Sequence, residues 1–453
     1  MSGGSPWLLA YYGDDFTGST DVMEALETRG VRTALFLRVP SEELLRERFP
    51  HIQAFGVAGV SRSMSPAELE ETLAPELERL AALGTPIVHY KLCSTFDSSP
   101  ASGSIGKVME IAKRIFPEAP AFPLLVACPP LGRYTVFGHH FAGADGATYR
   151  LDRHPTMARH PVTPMDEADL REHLKRQTPL TVGSLDVLAL EGTAESLADR
   201  YRELAERHDA VLLDALTDGH LDTAGTLISR CAAERQTFVL GSSGVEYGLA
   251  DQWQRQGLTP AAAPSMAAPT TSQLLVLSGS CSPATEAQLR YALDQGYAGI
   301  QLPAEQLIRQ PEETMAELLE QALGFLAQGR SLILYTALGP EDPAIAATRA
   351  ALASIAAASP DTGRLLGSRL GQLGRRLLET TGLRRLAVAG GDTSGYVTGE
   401  LGVYALEMLA PLVPGCPLCR CSSDQAAFDG LEIVLKGGQI GAPDFLERIR
   451  AGS

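Results

Sequence analysis

Nowhere does the chain carry an apolar run near the roughly 18 residues that a membrane-spanning helix needs, and its N-terminus lacks the basic-then-apolar pattern of a secretory leader. The expectation is a cytoplasmic protein. Positive charge is scarce as well: 38 Lys and Arg against 54 Asp and Glu leave a net charge of −16. That balance argues against nucleic acid or a membrane as a partner, and an anionic substrate would need a local cluster of cations. The phosphate-loop pattern GxxxxGK[ST] and the dinucleotide fingerprint GxGxxG are both missing. The seven cysteines are scattered apart from Cys416, Cys419 and Cys421, and the CxxC within "CPLCRC" has no second pair or nearby histidine to complete a zinc set. They read as reduced structural or surface thiols.

What is present is an apolar content of 45% in 453 residues, more than one ordinary core accommodates. Short apolar strands ("TALFL", "PIVHY", "PLLVAC", "AVLLDAL", "TFVLG") alternate with longer helical stretches up to about residue 240. Such alternation predicts a parallel sheet with crossover helices. The uncharged "TPAAAPSMAAPTTS" at 259–272 reads as a linker, after which the rhythm restarts with "QLLVLSGSCSPATEAQLRYALDQG", "SLILYTA", "RRLAVAGG" and "LEIVLKGG". The expected fold is therefore α/β in two lobes, residues 1–258 and 273–453, each a mainly parallel sheet, with an active site in the cleft between them.

The opening segment "LAYYGDDFTGSTDVMEALETRG" is a strand, a turn and a helix, with Asp14 and Asp15 in the turn. An aspartate there can merely cap the helix. A doublet followed by Thr17, Gly18, Ser19 and Thr20, at the carboxyl edge of a parallel sheet, points instead to ligand chemistry. Lys91 opens "KLCSTFDSSPASGSIGK" directly after the strand "PIVHY", which places an ammonium among the hydroxyls of Ser94, Thr95, Ser98 and Ser99, a set suited to a polyhydroxy acid. "CPPLGRYTVFGHH" offers Arg133, whose fork fits a carboxylate or phosphate, and "HPVTPM" holds His160 in a proline-restricted loop. In the second lobe "SGSCSPAT", "AGGDTSG" and "KGGQIG" end three strands in small-residue turns. Such turns let backbone N–H groups approach phosphate oxygens.

Taken in order, "GDDFTGSTD", "KLCSTFDSS", "PPLGRYTVFGHH", "HPVTPM", "GSSG", "GSCSPAT", "AGGDTSG" and "LKGGQIG" resemble the four-carbon acid sugar kinase family over nearly the whole chain. The resemblance implies a two-lobed enzyme in which the N-terminal lobe binds a sugar acid, the C-terminal lobe binds ATP with Mg²⁺, and phosphate passes to a substrate hydroxyl. It carries the acidic motif onto Asp14, Asp15, Thr17 and Gly18, and the substrate loop onto Lys91, Ser94 and Thr95. The nucleotide motifs fall on Ser280, Ser282, Gly390, Gly391, Asp392, Thr393, Gly437 and Gly438. Many members have an Arg-Gly pair after the Ser-Thr of the substrate loop, where this chain has Phe96, Asp97, Ser98 and Ser99. Losing that cation should weaken carboxylate binding and favour hydroxyl or keto contacts. In this the chain is similar to members acting on branched or oxidised sugar acids, such as 3-oxo-isoapionate.

Phosphoryl transfer needs positioning, charge neutralisation and an acceptor for the hydroxyl proton. Asp15 and Asp392 both qualify as that acceptor, with Asp15 or its neighbour Asp14 favoured because the acceptor should lie with the substrate. Two other classes compete: a haloacid-dehalogenase-like phosphatase, whose motif has one residue between its aspartates, and a non-catalytic sugar-acid-binding protein. The metal ligands, the substrate hydroxyl and the oligomeric state, including a homo-oligomer, stay open.

Overall fold

A computed structural model describes residues 5–144, 146–260, 267–353 and 362–453. The chain divides into two compact units, Met1–Ala263 and Pro264–Ser453. Within the expected linker, residues 261–266 lie outside the described residues, whereas Ala268 and Thr271 donate backbone N–H groups to Gly452 and Arg450 of the second unit. No helix among the described residues is long and apolar enough to cross a membrane.

The first unit contains β1 (Leu9–Gly13), β2 (Thr33–Phe36), β3 (Ala54–Ala58), β4 (Ile87–Lys91), β5 (Phe122–Leu125), β6 (Arg133–Val136), β7 (His139–Ala144), β8 (Ala147–Arg150), β9 (Val182–Leu185), β10 (Ala210–Leu213) and β11 (Thr237–Gly241). Eight of these run parallel in the order β2-β3-β1-β4-β11-β5-β10-β9. Burial on both faces explains their largely apolar composition: every residue of β1, β2, β4, β5, β10 and β11 is buried, the polar His89 and Lys91 of β4 included. The chain leaves β1 for β2 and β3 on one side and returns to β4 on the other. The strand order therefore reverses at β1, and a crevice opens beyond its carboxyl end. The remaining strands form a separate antiparallel sheet, β6-β7-β8.

The second unit contains β12 (Leu275–Ser278), β13 (Ala298–Gln301), β14 (Leu332–Tyr335), β15 (Arg385–Ala389), β16 (Val403–Val413), β17 (Cys416–Ser423) and β18 (Glu432–Lys436). Here the order is β13-β14-β12-β15-β18-β17-β16, parallel as far as β18 and antiparallel in β17 and β16. A second reversal falls at β12, between β14 and β15. The core packs Val276, Leu289, Ile333, Val434 and Phe445 together. "CPLCRC" forms β17, with Cys416, Cys419 and Cys421 buried and no disulfide. The mainly parallel architecture holds in both units, with this antiparallel ribbon as its addition.

Candidate active site

Both reversals bring sequence-distant turns together. In the first unit, Gly13 is in register with Lys91, so the Asp14–Asp15 turn follows β1 where the Lys91 loop leaves β4, and the Asp14 N–H donates to the Lys91 carbonyl at 2.9 Å. Asp15 has extended backbone (φ −144°) and caps the helix Phe16–Glu27, its Oδ1 accepting from the Gly18 N–H at 2.6 Å. Asp14 turns inward. Arg62, from the short turn after β3, forks onto it through Nη2 (2.7 Å) and Nε (3.1 Å), and its Nη1 reaches Asp15 Oδ2 at 2.7 Å. Sequence reasoning missed Arg62. It lies 48 residues from Asp14 in an unremarkable "SRSMSP", and only the adjacency of β3 and β1 brings it in.

Burial pushes the Asp14 carboxyl upward against the pull of Arg62, and Asp15 beside it adds to the rise. Lys91 is buried, its Nζ donating to the Leu92 carbonyl at 3.0 Å and lying 3.8 Å from Asp21. Burial works against its charge, but Asp21 and Asp14 outweigh that and raise its pKa. A Cβ at Gly18 would stand 3.1 Å from this ammonium and 2.7 Å from Asp15 Oδ1, which is why the position is glycine. Thr17 is half-buried in the same helical turn.

The loop after Lys91 is held from behind. Buried His140, on β7, contacts the Ser94 carbonyl through Nε2 (2.8 Å) and the Thr135 hydroxyl through Nδ1 (2.9 Å), and burial lowers its pKa to about 4. Thr95 donates to Asp97 Oδ1 at 2.8 Å, while Ser98 meets His173 at 3.1 Å. Arg133 spends Nη1 on the carbonyls of Leu131, Gly132 and Gly143 (3.1–3.3 Å), and its buried Nε has no partner among the described residues. His160 Nδ1 accepts from the Thr163 backbone N–H at 3.1 Å and pairs with its hydroxyl at 2.8 Å. Among the described residues, neither Arg133 nor His160 shares a hydrogen bond or ion pair with Asp14, Arg62 or Lys91.

In the second unit the three expected turns meet at one edge. Ser280 N–H donates to the Ala389 carbonyl (3.1 Å) and Gly390 N–H to that of Lys436 (3.0 Å). Gly390 has φ +123°, and a Cβ there would press on the Thr393 hydroxyl at 2.9 Å. The helix Gly391–Glu400 starts at once, with Asp392 exposed in its first turn and Thr393 buried. Ser282 caps the helix Pro283–Asp294 and bonds the Gly438 carbonyl, next to Gly437. A cavity of about 380 Å³ opens here, lined by Gly279, Cys281, Ala337, Ile345, Asp392 and Thr393 among others. Such small-residue turns at helix starts suit phosphate, and the apolar lining suits a base. Another cavity, about 240 Å³, lies in the first unit by Ala121 and Thr237 at the amino ends of β5 and β11, at the opposite sheet edge from the Asp14 and Lys91 turns.

Residues 9–249 match the family described as the sugar-binding N-terminal domain, and residues 275–446 the nucleotide-binding C-terminal domain. The pair places the chain among two-domain proteins built from a sugar-binding and a nucleotide-binding family. A 3-oxo-isoapionate kinase of Paraburkholderia graminis is 46% identical across 98% of this chain and 94% of its own, and a 3-oxo-tetronate kinase of Cupriavidus necator is 33% identical across 97% and 96%. A crystal structure from Salmonella typhimurium LT2 superposes with a TM-score of 0.77 at 26% identity, covering 97% of both chains. The Haemophilus influenzae structure, at 24% identity and a TM-score of 0.75 over 97% of this chain and 99% of its own, shares the fold. The chain belongs to the four-carbon acid sugar kinase family. The phosphatase alternative falls with that membership, and so does the non-catalytic binding protein.

Proposed function

We propose that this protein transfers the γ-phosphoryl group of ATP to a hydroxyl of a branched 3-oxo sugar acid of the isoapionate type. The observation that carries this reading is the 46% identity to a 3-oxo-isoapionate kinase over almost the full chain, against 33% for a 3-oxo-tetronate kinase. The loop chemistry agrees with it: where a carboxylate-binding cation would stand after Thr95, the chain has buried Phe96 and Asp97, suited to hydroxyl contacts.

In this reading Lys91 attracts the acid, the Thr17, Ser94 and Thr95 hydroxyls meet its oxygens, and Arg133, at the start of β6, and His160 orient it. Of the opening doublet, Asp14 is the structural member, with 7% of its side chain exposed and both oxygens under the Arg62 fork. Asp15, with 31% exposed, is the carboxylate a substrate hydroxyl can reach, and it takes the proton. Ser280, Ser282, Gly390, Gly391, Thr393, Gly437 and Gly438 cradle the phosphates.

Mg²⁺ travelling with ATP takes most of its ligands from phosphate and water and needs only one or two carboxylates, and Asp392, exposed in the phosphate turn, fits that demand. The ion would neutralise charge on the phosphates. Measuring ADP release from ATP and Mg²⁺ with 3-oxo-isoapionate, 3-oxo-tetronate and the parent tetronates tests the proposal. The 3-oxo branched acid should give the highest kcat/KM, and a preference for a tetronate would refute the assignment.

A further inference from the structure

The second unit buries two cations in adjacent strands, and it treats them differently. Arg385, 1% exposed on β15, is fully provided for: it pairs with Glu432 and donates to the carbonyls of Pro269, Ile449 and Arg450. Lys436, equally buried at the end of β18, has one hydrogen-bond partner among the described residues, the Thr285 hydroxyl at 2.9 Å. Among the described residues no carboxylate lies within ion-pair distance of it. The titratable group facing it is the Cys416 thiol on β17, while Glu286, next to Thr285 on the helix, is turned to Arg290. Burial lowers its pKa to about 8. An unpaired buried ammonium with two unspent donors is costly, so a purely structural role is a poor account of it.

Its surroundings suggest what the charge serves. An ammonium can only donate, so Thr285 Oγ1 accepts from it and must pass its own hydrogen to Ser280 Oγ (3.1 Å) or the Gly438 carbonyl (2.9 Å). The Gly438 carbonyl already receives the Ser282 hydroxyl. With Thr285 donating to Ser280, the half-buried Ser280 keeps its own hydrogen for a ligand. We infer that Lys436 is a positioning residue of the nucleotide site, acting through the Thr285 and Ser280 hydroxyls to aim and polarise Ser280 toward a phosphate oxygen. This rests on the proposed ATP-dependent reaction, and it gives a role to the lysine that opens "KGGQIG", beside the glycines and serines already assigned there.

The test uses the full chain with Lys436→Met and Thr285→Val, measuring melting without nucleotide and KM for ATP and for the acid separately. Lys436→Met removes an unpaired charge and should melt at or above the wild-type temperature. Its KM for ATP should rise ~10–100-fold, the range for a hydrogen bond to a charged group, with KM for the acid within about twofold. Thr285→Val should raise KM for ATP in the same direction with Lys436 intact. The wild-type KM for ATP should climb above pH ~8 as the ammonium loses its proton, and the Lys436→Met profile should be flat there. A wild-type KM for ATP in Lys436→Met, or a lowered melting temperature with both KM values raised, overturns the inference while leaving the kinase assignment standing. A wild-type protein that neither releases ADP nor is stabilised by ATP would defeat the assignment and the inference together.

Discussion

Replacing Arg62 by methionine should cost the first unit about 4 kcal/mol, a figure that follows from what the guanidinium holds. It makes two charge-assisted bonds to Asp14, whose side chain is 7% exposed, and one to Asp15, at 31%. Removing one partner of a buried pair typically costs ~3–5 kcal/mol because the remaining charge is left uncompensated, while a half-exposed pair contributes up to ~1 kcal/mol. The Cys93 N–H at 3.3 Å is too weak a replacement for Asp14. In a unit of this size ~4 kcal/mol corresponds to a melting shift of about 10 °C. The penalty should shrink as pH falls, because Asp14 is already pushed toward its protonated form and a neutral carboxyl no longer needs the cation. Asp14→Asn in the Arg62→Met background should recover at least ~2 kcal/mol in a double-mutant cycle without restoring turnover. Thermal melts at two pH values, with ADP release alongside, decide it. A shift under about 3 °C, or an additive cycle, would mean that Asp14 does not depend on Arg62, and the reasoning would be wrong.

Further outcomes follow from the same geometry. Asp15→Asn keeps a helix cap but no basicity, so kcat should fall ~10²–10⁴-fold with little change in KM for the acid, whereas Asp392→Asn should act mainly on ATP and Mg²⁺ affinity; near-normal turnover in the first with kcat lost in the second would exchange the roles. Lys91→Ala should raise KM for the acid far more than for ATP, and an equal rise in steady-state kinetics would place the lysine at the nucleotide. His140 and His173 are held neutral by burial down to about pH 4, whereas the unfolded chain binds their protons from about pH 6.5. Stability should therefore decline as pH drops through that window, by on the order of 3 kcal/mol per histidine at its foot. His140→Gln should flatten the slope in melts taken across it, and an unchanged slope would contradict the assignment.

Local pattern made much of the fold legible. The runs behind β1, β4, β11, β12, β15 and β18 are mainly apolar because parallel strands are covered on both faces, and the small-residue turns after β12, β15 and β18 stand out by their glycines, of which Gly390, at φ +123°, needs to be one. The doublet at Asp14 and Asp15, the Lys91 loop and the three second-unit turns could be read from strand-turn-helix rhythm alone. Which turns meet could not. Strand order depends on how crossover helices pack, a non-local outcome, so the reversals at β1 and β12 were hidden. So were the contacts that depend on them: Arg62 on Asp14, His140 behind Ser94, and Lys436 beneath Thr285. The ribbon of β16 and β17 was equally obscure, because bulges interrupt its pairing and its sequence reads as a cysteine cluster. The residue types and their local conformations, and with them the chemistry available at each strand end, are properties of the sequence, since neighbouring residues set them; which carboxylate is buried, which is reachable and which buried cation is given a counter-charge are decided by tertiary packing, because burial and charge pairing join residues from strands far apart in the chain.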